Sequence, residues 1–369
     1  MANILDYLSW RADMPLNVDP FNEVDGLILS ELAYLDFDGI VPGGTEPVPL
    51  EKVCAAYHKR HPAEEIAQDR TFRGKAPRLL TEMLTGARFR DARLMLYTDE
   101  MDPALSLQMS AVTFLLPDRS VFVAFRGTDG TLVGWEEDFS ISHLSSTEGQ
   151  KRARAYLDLV ADVCPGEIRV GGHSKGGNLA VYAAAFCAPA AQERITRVLN
   201  YDGPGFRDEI IASDGYGRIL PRAVSIVPDT SVIGLLLKNS AARQVVRSTA
   251  AGIAQHDGFT WSVERNRFET ASLTTVSLLM DRSLDHWLSQ MDDETRRSFT
   301  ETVFSLFRAT GAESFGEINR QKRRSAESII TAARELPKEQ QQSLLSLLQQ
   351  LGLSGGQVML DLIAGLLKK

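Results

Sequence analysis

The spacing of apolar positions changes several times along the chain. Val24, Leu27, Ile28, Leu32 and Leu35 recur at intervals of three and four residues behind Asp19-Pro20, which predicts a helix. A second helix is predicted over residues 77–84. From Arg93 the period shortens. The runs LMLY, SAVTFLL and SVFVAF are short and rich in β-branched and aromatic residues, and Pro117-Asp118-Arg119 reads as a hairpin turn between the last two.

Beyond Gly127 strand-like and helix-like segments alternate. Ala155, Leu157, Leu159, Val160 and Val163 mark a helix before the strand Ile168-Arg169-Val170. A helix of small residues over 178–187 leads to strands at 198–201 and 223–227, with a weaker one near Val245-Val246. This alternation predicts an α/β fold with a mainly parallel central sheet and helices on both faces. Past Asp292 the chain turns polar and helical. It is rich in Gln and Leu over 339–351, and a short amphipathic run over 358–367 follows Ser354-Gly355-Gly356. The expected organisation is a helical N-terminal part over 1–90 packed on the core, a core over 91–290, and a helical C-terminal extension over 291–369.

Composition narrows the function classes. Apolar residues are 44% and charged residues 24% of the 369, an ordinary globular mix, and the net charge of −8 supplies no basic field for nucleic acid. Cys54, Cys164 and Cys187 form no Cys-x-x-Cys pair, so neither a zinc cage nor a redox motif is expected, and their sparse number fits a reducing compartment. The opening MANILDYLSWRADMPLNVDPF lacks a basic region followed by an apolar one, and no run reaches the ~18 apolar residues of a membrane span. A cytoplasmic protein without metal or cofactor is expected.

The sharpest chemical signal is Gly172-His173-Ser174-Lys175-Gly176, a G-x-S-x-G pattern between a strand and a helix. A serine on so tight a turn exposes its Oγ, and a Cβ two residues away on either side would collide with the strand or the helix. Upstream, the strand VFVAF opens into Arg126-Gly127-Thr128-Asp129. Acyl transfer needs two main-chain N–H donors aimed at the forming oxyanion; Lys175 and Thr128 are the candidates.

Such a serine needs a base, and the base needs an orienting acid. Only His256 and His286 follow Ser174 in the chain. His256 lies in a loop-like stretch and His286 in a helical pattern, which favours His256. For the acid, Asp229 directly follows the strand AVSIV and is preferred, with Asp202 in NYDGPGF as runner-up. Asp257 adjoins His256 but points elsewhere if the backbone is extended.

GHSKGGNLAVYAA resembles the elbow of class 3 (fungal-type) lipases. AFRGT followed by Trp135 and Asp138 resembles their oxyanion loop and lid entry. Over about residues 3–290 the chain more closely resembles a bacterial family of unknown function among the lipase-like α/β-hydrolases. The resemblance implies an α/β-hydrolase fold, Ser174 as nucleophile, His256 as base and Asp229 as acid. Two departures stand out. Lys175 replaces the usual leucine, which puts a charge near an apolar acyl site, and Asp229 lacks the lipases' Asp-Ile-Val-Pro context.

The expected activity is a serine hydrolase cleaving small-molecule or lipid carboxylic esters. The rival is a catalytically silent binding or scaffold protein on the same fold. Segment 130–145, with Leu132, Val133 and Trp135 beside three acids, is a candidate lid. Leu344, Leu345, Leu348 and Leu351 line one helical face. Such a face more often packs on its own domain or on a second copy of the chain than on a membrane, the C-terminal helices being the candidate pairing element, and the net negative charge disfavours an anionic membrane.

Overall fold

The computed structural model describes residues 1–68, 72–342 and 344. Eight strands form one sheet in sequential order: β1 (Val48–Pro49), β2 (Arg93–Asp102), β3 (Leu107–Leu115), β4 (Val121–Phe125), β5 (Ile168–His173), β6 (Ile195–Tyr201), β7 (Ala223–Pro228) and β8 (Ala242–Val246). The first three pairings are antiparallel and the four from β4 to β8 are parallel. The short turn at 117–119 permits the β3–β4 hairpin, whereas each parallel pairing needs a crossover. All five residues of β4 are buried, as expected for a strand covered on both faces.

Alternation divides these strands between two cores. Phe114, Phe122, Ala124, Leu199, Tyr201 and Ile226 face the N-terminal helices α1 (Ile4–Arg11), α2 (Glu23–Leu32), α3 (Leu50–Arg60) and α5 (Ala76–Glu82), with α4 (Ala63–Gln68) between the last two. Val121, Val123, Phe125, Val170 and Val198 face the opposite side. There they meet α7 (Glu148–Val163), α8 (Lys175–Phe186), α9 (Pro189–Arg194), α10 (Asp208–Ile211) and α11 (Asp214–Ile219).

The N-terminal helices are locally well specified. Asn3 and Asn22 each cap a helix, and each donates its own main-chain N–H to the carboxylate of the aspartate three residues on, which satisfies main-chain donors that would otherwise be orphaned. Arg88, with a fully buried side chain, joins this layer together. It pairs with Asp25 and donates to the carbonyls of Met14 and Asp19.

Residues 130–145 are not a loose flap. Leu132–Ser140 is a helix, α6, capped by Thr131 through the main-chain N–H of Gly134. Beyond a small hairpin of β9 (Val263–Glu264) and β10 (Arg267–Phe268) come α12 (Thr275–Ser289), α13 (Asp293–Arg308), α14 (Phe315–Arg320) and α15 (Lys322–Glu335). These later helices form a third apolar cluster with Trp135 of α6 at its edge. The Leu345, Leu348 and Leu351 face and the 358–367 run lie outside the described residues, and no helix among those described is long and apolar enough to cross a membrane.

Candidate active site

Strand β5 ends at His173, and the chain reverses at Ser174 before α8 begins at Lys175. Ser174 has φ 58 and ψ −133, a combination that non-glycine residues adopt only under constraint and that concentrates at functional turns. The flanking glycines are steric necessities. A Cβ on Gly172 would lie 2.3 Å from the carbonyl carbon of Gly176, and one on Gly176 would lie 2.1 Å from the Phe125 carbonyl oxygen. Close approach of β4, β5 and α8 thus requires the pattern read from the sequence. Lys175 is the first residue of α8, where a main-chain N–H has no acceptor within the helix.

The neighbouring strand ends in a buried carboxylate. Asp202 directly follows β6, in left-handed backbone at φ 51, a region that aspartate tolerates better than most residues. Its carboxylate is 1% exposed. Oδ2 lies 2.7 Å from His256 Nδ1, while Oδ1 accepts from Ser231 Oγ at 2.5 Å and from the Gly234 N–H at 3.1 Å. The His256 side chain is 23% exposed, so the pair has a buried acid and a ring open to a substrate.

Asp229, the acid preferred from the sequence, is placed differently. It follows β7, one strand further from Ser174. Its Oδ1 accepts from Thr230 Oγ1 at 3.3 Å, and its main-chain carbonyl accepts from Thr274. The left-handed turn at Asp202 carries that carboxylate to the imidazole first. The Gly203-Pro204-Gly205 run after Asp202 was the available signal, since it marks an abrupt chain reversal. Asp257 also points away, capping Phe259 and pairing with Lys75 at 2.6 Å.

His256 is carried on the 3₁₀ turn Gly252–His256. Gln255 braces that turn. Its Oε1 accepts from the Thr230 N–H at 2.7 Å, and its carbonyl accepts from the buried Trp261 indole at 2.8 Å. His256 stacks on His173 with ring centroids 4.5 Å apart, beside the elbow. Among the described residues no hydrogen bond joins Ser174 Oγ to the His256 ring; in unliganded sites such bonds commonly form only when substrate arrives.

The loop after β4 runs against the elbow. A Cβ on Gly127 would lie 2.9 Å from Ser174 Cβ and 2.6 Å from the His173 carbonyl oxygen, so the residue before Thr128 abuts the elbow. Thr128 Oγ1 donates to Asp138 Oδ2 of α6 at 2.5 Å. Asp138 Oδ1 is buried with no hydrogen-bond partner, and burial pushes this carboxyl up to about 6 against the pull of Lys175 and Thr128.

Lys175 corrects an expectation. Its side chain, 1% exposed, is turned into the interior and leaves no free charge beside Ser174. Nζ donates to the Gln108 carbonyl at 2.9 Å, to Gln108 Oε1 at 2.8 Å and to Glu137 Oε2 of α6 at 3.0 Å. Glu137 also accepts from the main chain of Gln108 and Gly149. The lysine's charge is therefore neutralised in a closed cluster that fastens α6 to the start of α8. Trp135, the candidate lid residue, packs edge-on against Phe315 of α14 at 5.9 Å. Sequence reasoning did not foresee Glu137 or Gln108, because nothing local marks partners 38 and 67 residues from Lys175.

A sheet with parallel strands from β4 onward, a serine elbow after β5 and a histidine paired with an aspartate at the same edge define the α/β-hydrolase fold. Residues 83–305, more than half of the chain, match the model of the Mbeg1-like family, and the protein belongs to that family. A solved structure described as "Crystal structure of M37 lipase" is similar at 13% identity over 94% of this chain and 99% of that one, with a TM-score of 0.38. That superposition is too loose to carry an argument about mechanism. No curated protein matches the chain.

Proposed function

We propose that the protein is a serine hydrolase of carboxylic esters, with Ser174 as nucleophile, His256 as general base and Asp202 as the orienting acid. The observation that carries this reading is the Asp202–His256 pair at 2.7 Å, beside a serine held in strained left-handed backbone. Asp202 accepts from Nδ1, which leaves Nε2 of His256 as the proton acceptor. Ser174 Oγ attacks the acyl carbon as Nε2 takes its proton. The oxyanion that forms is met by the main-chain N–H groups of Thr128 and Lys175. His256 returns the proton to the departing alkoxide. Water, deprotonated by the same ring, then cleaves the acyl-enzyme and releases the acid.

An apolar acyl or alcohol group suits the surroundings. Ile253, on the turn that carries His256, is 63% exposed, and so is Val276 of α12 at 59%. Helix α12 is tied to the 229–231 segment through Thr274 and Ser277.

The test is labelling of the full chain by a fluorophosphonate, followed by a panel of p-nitrophenyl esters graded by acyl length. Labelling that disappears in Ser174→Ala, with turnover of at least one ester, is expected. Equal labelling of both proteins would sink the assignment, and no labelling of either would favour the binding-protein reading.

A further inference from the structure

His173 precedes the nucleophile in the chain yet takes no part in the chemistry outlined above. It is fully buried, and its hydrogen bonds are unusually informative. Nε2 lies 2.7 Å from the main-chain carbonyl oxygen of His256. A carbonyl oxygen only accepts, so Nε2 carries the hydrogen. Nδ1 lies 2.9 Å from the hydroxyl of Tyr34, from the N-terminal layer. Burial, reinforced by the neighbouring His256, holds the His173 ring well below the ordinary histidine range, so the ring is neutral. Its Nδ1 is then an acceptor and Tyr34 donates to it, which fixes one tautomer.

Two further groups surround this contact. Glu31 Oε1 of α2 is 3.9 Å from Nδ1, and neither oxygen of that buried carboxyl has a hydrogen-bond partner. Burial, with Asp257 adding to it, raises Glu31 well above the usual carboxylate range, so it stands as a neutral acid and does not draw a proton onto the imidazole. Lys75, also from the N-terminal part, grips Asp257 at 2.6 Å. The chain at 256–257 is thus held from two sides by residues that precede or abut the elbow.

We propose that His173 is a positioning residue for the general base: its Nε2–H, oriented by Tyr34, clamps the main chain of His256 to the residue adjoining Ser174 and so sets the distance between nucleophile and base. Asp202 fixes the ring of His256 and His173 fixes its backbone. Neither alone defines where Nε2 points, because a ring hydrogen-bonded at one nitrogen still swings with its loop. The inference rests on the reading of Ser174 and His256 as nucleophile and base. It extends the functional unit to Tyr34, which lies outside the family-matched residues 83–305.

The experiment uses the full chain in four forms: wild type, His173→Phe, His173→Gln and Tyr34→Phe. His173→Phe removes the donor. His173→Gln restores an N–H that can reach the His256 carbonyl. Tyr34→Phe keeps the ring but frees its tautomer. Fluorophosphonate labelling rates and ¹⁵N spectra of the histidine rings are recorded together, with a thermal melt of each form. In wild type the His173 ring is expected as the neutral Nε2–H form from pH 5.5 to 9. Labelling should fall by ~10² in His173→Phe, since displacement of a reacting group by about 1 Å costs that much. His173→Gln should regain most of the rate, and Tyr34→Phe should lie between. If His173→Phe does not fold, Tyr34→Phe decides: a labelling rate and His256 ring signal equal to wild type in that folded variant overturn the proposal, and a slower rate with a shifted signal supports it.

The proposal is overturned if a folded His173→Phe labels at the wild-type rate, or if His173→Gln is no faster than His173→Phe. A wild-type His173 ring found as the Nδ1–H tautomer, with no hydrogen on Nε2, would also overturn it. Should the wild type itself fail to label, the ester-hydrolase reading falls while the clamp is still decided by spectra. A His256 ring signal that shifts in His173→Phe and returns in His173→Gln supports the clamp, and one unchanged in every form refutes it.

Discussion

Asp202 and His256 are 54 positions apart in the chain, yet their side chains meet at 2.7 Å at the carboxyl edge of the sheet. The contact depends on left-handed backbone at the end of β6 and on the turn Gly252–His256.

The first prediction separates the two candidate acids. Asp202→Asn leaves the geometry nearly intact but presents the wrong partner to His256 Nδ1. A loss of roughly 10⁴ in kcat is expected, the scale seen when a triad acid is amidated. Asp229→Asn should retain activity within a factor of a few. Ester turnover by both variants checks this, and the reverse ranking would restore Asp229.

Lys175 and Glu137 give a stability prediction. Lys175→Met strands a carboxylate in a dry site, which typically costs about 3–5 kcal/mol. Adding Glu137→Gln removes the uncompensated charge, so the double variant should recover much of the loss. Urea denaturation midpoints of the two single variants and the double variant measure the coupling.

Asp138 makes stability depend on pH in a defined direction. Its carboxyl sits at about 6 in the folded protein against an ordinary 3.8. Between those values the folded state holds a proton that the unfolded state has lost, so this group's contribution weakens as pH rises through the window and then levels off. Asp138→Asn keeps an acceptor for Thr128 but cannot ionise. The stability of wild type relative to this variant should decline from about pH 4 to about pH 6 and stay flat above. Denaturation series across that range read it directly, and a constant difference would show that Asp138 does not titrate there.

Arg88 tests how the N-terminal layer is held. Its side chain is fully buried against Asp25, whose own burial raises its carboxyl above the ordinary range despite the arginine. Arg88→Met should cost about 3–5 kcal/mol by leaving that acid unpaired. Because Tyr34 and Lys75 belong to the same layer, a partial loosening should also appear as faster amide exchange around 256–257.

The parts of this molecule that were legible in the sequence are those governed by local physics. β4 read as a strand because burial on both faces makes it a continuous apolar run, and β5 because Ile168 and Val170 alternate with Arg169 ahead of the glycine turn. The elbow read as such because Gly172 and Gly176 cannot carry a Cβ there. His256 stood out because only one other histidine follows Ser174. Choosing between Asp202 and Asp229 required knowing which strand end lies beside the histidine turn, a matter of backbone handedness at one residue. Segment 130–145 mixes apolar and acidic side chains as a lid would. Two of its three acids instead face inward, Glu137 to Lys175 and Asp138 to Thr128, and Glu136 meets Arg308 of α13; such pairings leave no mark on local spacing.

The register between β5 and β6 sets His173 opposite Tyr201, and the Ser174 N–H bonds to the Tyr201 carbonyl, one residue short of Asp202. Inserting or deleting a single residue in either strand would invert the alternation and exchange the contents of the two cores. The stretch from Gly203 to Arg222 lies outside that ladder and is held differently: Gly205 and Phe206 bond to the main chain at 236–238, and Ile210, Tyr216 and Ile219 belong to the core on the α8 side. A change of length is therefore ruinous within β5 or β6, so the spacing of the strand pair, more than the identity of any one side chain, is what descendants of this chain must keep.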